Sequence, residues 1–139
     1  MAVLLAGILM AAMLAGCQFL SSETNCRQEA RRQASELKDA VSGLVPASIA
    51  ATVEELDGCD SGDEGGWLSF TVYRAVDGEA LIHKFVEGGW KPIADLQKRD
   101  ECPKCIAGAT ARINGRSIEV AFMETQESSV FDIIIEFAP

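Results

Sequence analysis

Cysteine is the residue type in this chain with the widest choice of chemistry, because its sulfur can form a disulfide, bind a metal, attack a substrate or carry a lipid. The chain contains five cysteines, namely Cys17, Cys26, Cys59, Cys102 and Cys105. An even number of cysteines in a small exported domain normally indicates a disulfide framework, and four lie beyond Cys17. Four cysteines allow three pairings, all of which the sequence leaves open.

The segment that precedes Cys17 is short and apolar. Residues 2–16 carry no charged side chain, and the segment ends in the sequence LAGC at residues 14–17. About fifteen apolar residues are enough for the core of a signal peptide but fewer than the roughly twenty that span a bilayer. The segment therefore favours cleavage, and an uncleaved membrane anchor is the alternative interpretation.

The sequence LAGC resembles the lipobox of bacterial lipoproteins. In that family the signal peptide is removed just before the cysteine, which becomes the first residue of the mature protein and carries a diacylglycerol thioether. The resemblance implies a signal peptide at residues 1–16, a lipidated Cys17 with a tether over residues 17–25, and attachment to the cell membrane on its extracytoplasmic side. Two or more acyl chains anchor a protein stably by themselves. Residues 26–139 are long enough for one globular domain.

The charge balance of the chain is acidic. It has 21 acidic and 12 basic residues and a formal net charge of −9. Anionic head groups repel such a domain, so we expect the membrane to be engaged through the covalent lipid on Cys17 alone. Nucleic acid is excluded as a partner, because it is bound through clustered basic residues. The one local basic group, Arg27, Arg31 and Arg32, alternates with acids on a predicted solvated helix face.

Hydrophobic periodicity predicts two helices and a series of strands. Apolar residues at three- and four-residue spacing from Cys26 to Leu44 predict the first helix, with Asn25 as its N-cap. The second helix begins at Asp77-Gly78 and ends at Gly88. Its predicted inward residues are Leu81, Ile82, Phe85 and Val86. Alternating apolar residues predict extended segments at Ser48–Glu54, Leu68–Tyr73, Trp90–Leu96 and Val130–Phe137.

Asn114 and Gly115 give the clearest local signal, because Asn-Gly is favoured in the two-residue turn of a β-hairpin. The turn predicts cross-strand pairs between small and large residues: Ala107 with Phe122, Ala109 with Val120 and Ala111 with Ile118. The small side chains leave room for a helix on that face. The residues between them face the other way, and these are Thr110, Arg112, Ser117 and Glu119.

The element order α-β-β-α-β-β-β-β predicts an α+β fold, a two-layer sandwich in which a mainly antiparallel sheet has two helices packed on one face. The other face then meets water or a partner. Tyrosine and arginine are residue types that often anchor protein contacts. We therefore predict a binding surface around Tyr73, Arg112 and Glu119, with Thr71 and Thr110 beside them, and an envelope protein as its partner.

Two further motifs resemble one group of proteins. The sequence GCDSG at residues 58–62 lies between two predicted strands, and the second helix runs into Gly89 and Trp90. Both features resemble small uncharacterised secreted lipoproteins of actinobacteria, from which no activity carries over. In that group the cysteine after the first strand pairs with one just before the final hairpin. The resemblance therefore implies the disulfides Cys59–Cys105 and Cys26–Cys102.

The sequence CPKC at residues 102–105 also matches the C-x-x-C of thiol-disulfide oxidoreductases, in which a helix N-terminus lowers the pKa of one thiol. In those enzymes the motif begins a helix, whereas here it precedes a predicted hairpin strand. A zinc site that adds His83 is disfavoured, because exported thiols tend to be oxidised. We predict that His83 is a surface residue.

The loop over residues 57–64 is rich in carboxylates, which are the ligands that calcium prefers. Counted from Asp60 as an EF-hand, the loop has Gly62 at the third position and Thr71 at the twelfth, neither of which supplies a carboxylate. We therefore predict a solvated acidic turn and no metal. The sequence CDSG at residues 59–62 resembles the nucleophile segment of trypsin-like proteases, but a lone histidine and the short chain leave serine catalysis unsupported.

The sequence contains no phosphate-binding glycine loop, no HExxH motif and no carboxylate pair of recognisable spacing. It therefore predicts a membrane-anchored cell-envelope lipoprotein with a non-catalytic binding or structural role and no cofactor. The alternative is an extracytoplasmic thiol-disulfide oxidoreductase that uses Cys102 and Cys105.

Overall fold

Helix α1, over residues 23–41, is the first element of the computed structural model, which describes residues 23–61, 65–73, 78–94, 96, 102, 104–126 and 130–138. The predicted signal peptide and the lipidation site Cys17 lie outside the described residues. Residues 23–25 are helical and belong to α1, so Asn25 is not an N-cap. The helix ends just before Gly43, whose φ of 81° is the left-handed conformation that commonly closes a helix.

Eight further elements follow α1. They are α2 (Ala47–Ala50), β1 (Glu54–Asp57), β2 (Gly66–Tyr73), α3 (Gly78–Glu87), β3 (Lys91–Pro92), β4 (Cys105–Ile113), β5 (Arg116–Glu124) and β6 (Val130–Phe137). The predicted second helix is confirmed as α3, although Val86 is 38% exposed rather than inward. Among the described residues of the predicted extended segment at Trp90–Leu96, only those of β3 form a strand. Among the described residues, no helix has both the length and the apolar character needed to cross a membrane.

Residues 47–50 form helix α2, so the predicted strand at Ser48–Glu54 is wrong. The carbonyl oxygen of Pro46 accepts hydrogen bonds from the N–H groups of Ile49 and Ala50, both at 2.9 Å. Proline suits the start of a helix, because an N–H group there would have no partner within the helix. The segment is also rich in alanine, which has the highest helix propensity. Extended chain therefore begins only with β1.

The six strands form one sheet in the order β1-β2-β6-β5-β4-β3, and every neighbouring pair is antiparallel. The predicted hairpin is confirmed with its register: Ala107 pairs with Phe122, Ala109 with Val120 and Ala111 with Ile118. Asn114 and Gly115 have φ angles of 51° and 82°, and a type I′ turn requires positive φ at both positions. Strand β6 has the predicted bounds and lies between β2 and β5.

The hydrophobic core joins the helices to alternate residues of the strands. Helix α1 contributes Leu37 and Val41, and α3 contributes Leu81 and Phe85. The strand residues of the core include Leu68, Phe70, Val72, Ala109, Ile118, Val120, Phe122, Phe131, Ile133 and Ile135. Phe85 is fully buried and lies edge-on to the rings of Trp90 and Phe122, with centroid distances of 5.1 Å and 6.3 Å. The α+β class is therefore confirmed.

Gly66 determines how closely α1 approaches the sheet. A Cβ atom at this position would lie 2.1 Å from the carbonyl oxygen of Ala30, so a residue without a side chain is required at this contact. The N–H group of Gly66 donates a hydrogen bond to Oε1 of Gln33 at 3.0 Å. The first half of α1 is therefore fixed against the start of β2.

Candidate functional site

The outer face is the face of the sheet whose side chains are not part of the hydrophobic core. Its residues alternate with core residues along the strands: Glu54, Leu56, Trp67, Ser69, Thr71, Tyr73, Gly108, Thr110, Arg112, Ser117, Glu119, Ala121, Met123, Val130, Asp132, Ile134 and Glu136. Oγ1 of Thr71 donates a hydrogen bond to Oδ1 of Asp132 at 3.1 Å. Oγ1 of Thr110 donates to the carbonyl oxygen of Ile118 at 3.0 Å. Both hydroxyl groups therefore connect neighbouring strands.

The three predicted binding residues lie on the outer face but do not form one patch. Tyr73 is 68% exposed and pairs with the first residue of β6. Glu119 pairs with Glu136, six residues further along β6 and therefore about 20 Å away. Arg112 lies two residues beyond Thr110, the partner of Glu119 on β4. Tyr73 and Arg112 are thus at opposite corners of the sheet, roughly 30 Å apart, and cannot contact the same side chain of a partner.

The apolar centre of the outer face consists of Trp67, Ala121, Met123 and Ile134. Ile134 pairs with Ala121, and Trp67 and Met123 are its diagonal neighbours on the adjacent strands. All four side chains are partly exposed, and Leu56 at the sheet edge is 37% exposed. The sequence pattern of single strands does not predict this centre, although three consecutive isoleucines in β6 signal a strand that is apolar on both faces.

Ile93 and Leu96, which follow β3 in the chain, cover the outer face over β4. Leu96 is buried, and a Cβ atom on Gly108 would lie 2.8 Å from Cδ2 of Leu96 and 3.5 Å from Cδ1 of Ile93. Gly108 pairs with Ala121, so the two side chains lie beside the apolar centre. The outer face is therefore partly covered over β4, because a glycine in this strand leaves room for two large side chains.

All four cysteines of the domain are paired. The Cα atoms of Cys26 and Cys59 are 5.9 Å apart and those of Cys102 and Cys105 are 5.4 Å apart, with a disulfide in each pair. The pairs Cys59–Cys105 and Cys26–Cys102, which the resemblance implies, are therefore wrong. Cys26 reaches the loop between β1 and β2 because α1 lies close to β2 at Gly66.

The Cys102–Cys105 pair lies in a turn that leads into a strand. The N–H group of Cys105 donates a hydrogen bond to the carbonyl oxygen of Cys102 at 3.1 Å. Cys105 is the first residue of β4, and its side chain is 1% exposed. A redox C-x-x-C motif instead sits at a helix N-terminus, whose dipole lowers the pKa of a thiol. The pair therefore precedes a strand, as the sequence predicts, and in the described part of the chain no helix N-terminus lies at its thiols to lower their pKa.

The described residues contain no group of three or more His, Cys, Asp or Glu side chains that could hold a metal ion. In the acidic loop, Oδ1 of Asp57 accepts a hydrogen bond from the N–H group of Cys59 at 3.3 Å, and Oδ1 of Asp60 lies 3.5 Å from Nη2 of Arg27. Residues 62–64 of this loop lie outside the described residues. His83 is exposed, as predicted, with Nδ1 3.6 Å from Oε1 of Glu87.

The arginines of α1 are exposed, and Arg27 and Arg32 form ion pairs along the helix. Nη2 of Arg27 lies 2.8 Å from Oε1 of Glu23, and Arg32 pairs with both Glu29 and Glu36. Hydrogen bonds from Arg32 and, to a lesser extent, from Gln33 lower the pKa of Glu29 to about 2. This side of α1 is therefore the solvated, charged helix face that the sequence predicts.

Comparison with known proteins gives no match, whether the chain is scanned against protein-family models or searched against curated proteins and solved structures. The function of the chain is therefore inferred from its own residues and their geometry.

Proposed function

We propose that this chain is a lipid-anchored protein of the cell envelope that binds a partner rather than catalysing a reaction. In this proposal a lipid on Cys17 holds the domain on the extracytoplasmic side of the cell membrane. The apolar residues 2–16 and the following LAGC sequence support the anchor. The formal net charge of −9 means that the domain itself is repelled by anionic lipids, so attachment depends on the covalent lipid.

The proposal includes a two-layer arrangement, in which the helices form one layer over the core side of the sheet and the outer face binds the partner. The shared core of helix and strand residues supports it. A sheet face in contact with water normally carries polar residues, whereas the centre of the outer face carries Trp67, Ala121, Met123 and Ile134. This partly exposed apolar centre is the observation that carries the proposed binding role.

The residues around the apolar centre give the outer face the composition of an interface. Protein interfaces combine an apolar centre with a polar rim, and tryptophan is enriched among the residues that contribute most to binding. Here Trp67 lies in the centre, while Thr71, Asp132 and Glu136 border it. A matching partner buries an apolar side chain against Trp67 and Ile134. It also forms hydrogen bonds with the polar rim.

Cys17→Ser is expected to release the protein from membranes or to leave it as an unprocessed precursor, because a serine hydroxyl cannot form the thioether. Cell fractionation and the mass of the purified protein measure both outcomes. The mature wild-type protein should begin at Cys17 and carry the added mass of its lipid. Ser21→Ala, close to the same cysteine, is the matched control and should stay membrane-bound. A wild-type protein with an intact N-terminus and an unmodified Cys17 would contradict the anchor.

Ile134→Lys is expected to reduce partner binding about tenfold or more, because it places an ammonium group in the apolar centre. A photoreactive amino acid at Met123 should crosslink the partner in intact cells, and the yield of this product is the measurement. Val86→Lys makes the same charge change on α3, away from the outer face, and should leave the yield unchanged. If both variants keep the wild-type melting temperature and the crosslink survives in Ile134→Lys, the binding surface lies elsewhere.

A further inference from the structure

Strand β1 is an edge of the sheet and differs from the opposite edge strand in length and in the backbone N–H groups that it can offer. The opposite edge, β3, has only two residues, one of which is a proline, and proline has no N–H group to donate. Strand β1 has four residues, all exposed, and among the described strands it pairs with β2 on one side only. An edge strand of this kind offers backbone groups to a further strand.

The register shows which backbone groups β1 offers. The N–H group of Gly58 donates to the carbonyl oxygen of Gly65 at 3.2 Å. Hydrogen-bonded pairs alternate along an antiparallel ladder, so Leu56, which pairs with Trp67, also bonds towards β2. The N–H and C=O groups of the residues in between, Glu55 and Asp57, therefore point away from the sheet. They are spaced to accept one additional strand.

The side chains of β1 lie alternately on two sides of the sheet, and the surroundings of the two sides differ. Glu55 and Asp57 border a cavity of about 220 Å³ between β1 and α1, which is also lined by Ala30, Arg31 and Ala34. Leu56 lies on the outer face beside Trp67. Since directly paired residues share a face, an added strand would place alternate side chains in the cavity and against Leu56.

The charges of β1 select the occupant. Three of its four residues are acidic, and Lys38 pairs with Glu55. Glu54 and Asp57 form no ion pair with the basic side chains of the described residues. A second copy of β1 would bring like charges together, which disfavours pairing between copies. A strand with basic side chains would instead be attracted by the acidic residues of β1.

We infer that the free edge of β1 binds an extended segment of a basic polypeptide as a seventh strand. The segment places a basic residue opposite Asp57, which forms no ion pair with the basic side chains of the described residues, and an apolar residue opposite Leu56. Backbone hydrogen bonds supply part of the binding and the carboxylates supply the selectivity. This site borders the outer face at Leu56 but does not include Ile134, which lies on β6, two strands from β1.

The test uses a synthetic peptide of alternating lysine and valine with the exported chain, and titration calorimetry measures its affinity. Backbone amide hydrogen exchange shows whether the peptide is a strand, because the N–H groups of Glu55 and Asp57 should become protected. A peptide with glutamate in place of lysine should not bind. A peptide methylated on the backbone nitrogens of its lysines keeps its charge but cannot donate, and it should bind about tenfold more weakly.

The protein variant Glu55→Lys/Asp57→Lys should bind the lysine peptide about tenfold more weakly and should bind the glutamate peptide instead. Asp39→Lys/Glu87→Lys changes the net charge by the same amount at exposed sites elsewhere and should bind like the wild type. Equal binding of the methylated peptide, or no protection at Glu55 and Asp57, would overturn strand addition. Ile134→Lys should keep peptide binding, so failure of this inference and failure of the outer-face proposal are distinguishable.

Discussion

Removal of the Cys26–Cys59 disulfide is expected to lower the melting temperature of the domain by about 10–20 °C. The two cysteines are 33 residues apart in the sequence, and a loop of this length restricts the unfolded chain by about 4 kcal/mol in the loop-entropy description. Without the disulfide, the N-terminal part of α1 is held by packing, by the hydrogen bond from Gly66 to Gln33 and by the exposed ion pair of Arg27 with Asp60. Calorimetry of Cys26→Ala/Cys59→Ala measures the loss.

The second disulfide provides the matched control. Cys102 and Cys105 are separated by three residues, and a loop this short contributes about 2 kcal/mol or less by the same argument. Cys102→Ala/Cys105→Ala should therefore have a melting temperature well above that of Cys26→Ala/Cys59→Ala. Equal decreases in melting temperature in the two variants would contradict the conclusion that the longer disulfide loop gives the larger stabilisation.

Phe85→Ala is expected to cost about 3–5 kcal/mol of unfolding free energy, because it removes a fully buried ring and leaves a cavity. Phe85 connects α3 to the sheet through its contacts with Trp90 and Phe122, so the edge-to-face interactions are lost as well. Urea denaturation followed by circular dichroism measures the change. Both contacts lie on the core side of the sheet, so the outer-face crosslink should be retained wherever the variant is folded.

The neighbouring residue on the same helix serves as the control for Phe85. Val86 is 38% exposed, and Val86→Ala should change the unfolding free energy by about 0.5 kcal/mol or less. Phe→Ala and Val→Ala change the helix propensity by similar amounts. The difference in unfolding free energy between the two variants therefore measures the packing of Phe85. A loss below about 1 kcal/mol for Phe85→Ala would mean that α3 is not packed against the sheet.

The parts of the fold that the sequence predicts correctly have strong local signals. The Asn114-Gly115 turn fixes the β4–β5 register by itself, because only one pairing of the strands fits a two-residue turn. The alternation in β6 defines that strand, and glycine marks the end of α3. Each of these signals comes from residues that are close in sequence. The positions of these elements therefore agree with the sequence analysis.

The predictions of the strand at Ser48–Glu54 and of the disulfide pairing are wrong, because the local alternation of apolar residues and short motifs did not determine either of them. In Ser48–Glu54 the apolar residues alternate as in a strand, but Pro46 and the alanines stabilise a helical turn. The pairing of Cys26 with Cys59 depends on the close contact of α1 with Gly66, which joins distant parts of the chain. A resemblance carried by short motifs did not identify this contact.

The sequence predicts which face of the sheet carries Tyr73, Arg112 and Glu119 but not how far apart they lie. Alternation along single strands correctly placed Tyr73, Arg112 and Glu119 on one face. Their separation depends on the strand order β2-β6-β5-β4, which puts two strands between Tyr73 and Arg112. Strand order is set by long-range packing, so the apolar centre around Ile134 becomes visible only in the folded sheet.

The Cys26–Cys59 disulfide also has a mechanical consequence for a domain held by a lipid. In the proposed anchored state, any pulling force from the membrane enters the domain at the N-terminal end of α1. The disulfide lies within the first turns of this helix, and it passes the force covalently to the loop between β1 and β2. Helix α1 therefore cannot be peeled from the sheet beyond Cys26 while this bond is intact, and resistance to force depends on the rate at which the strands themselves separate.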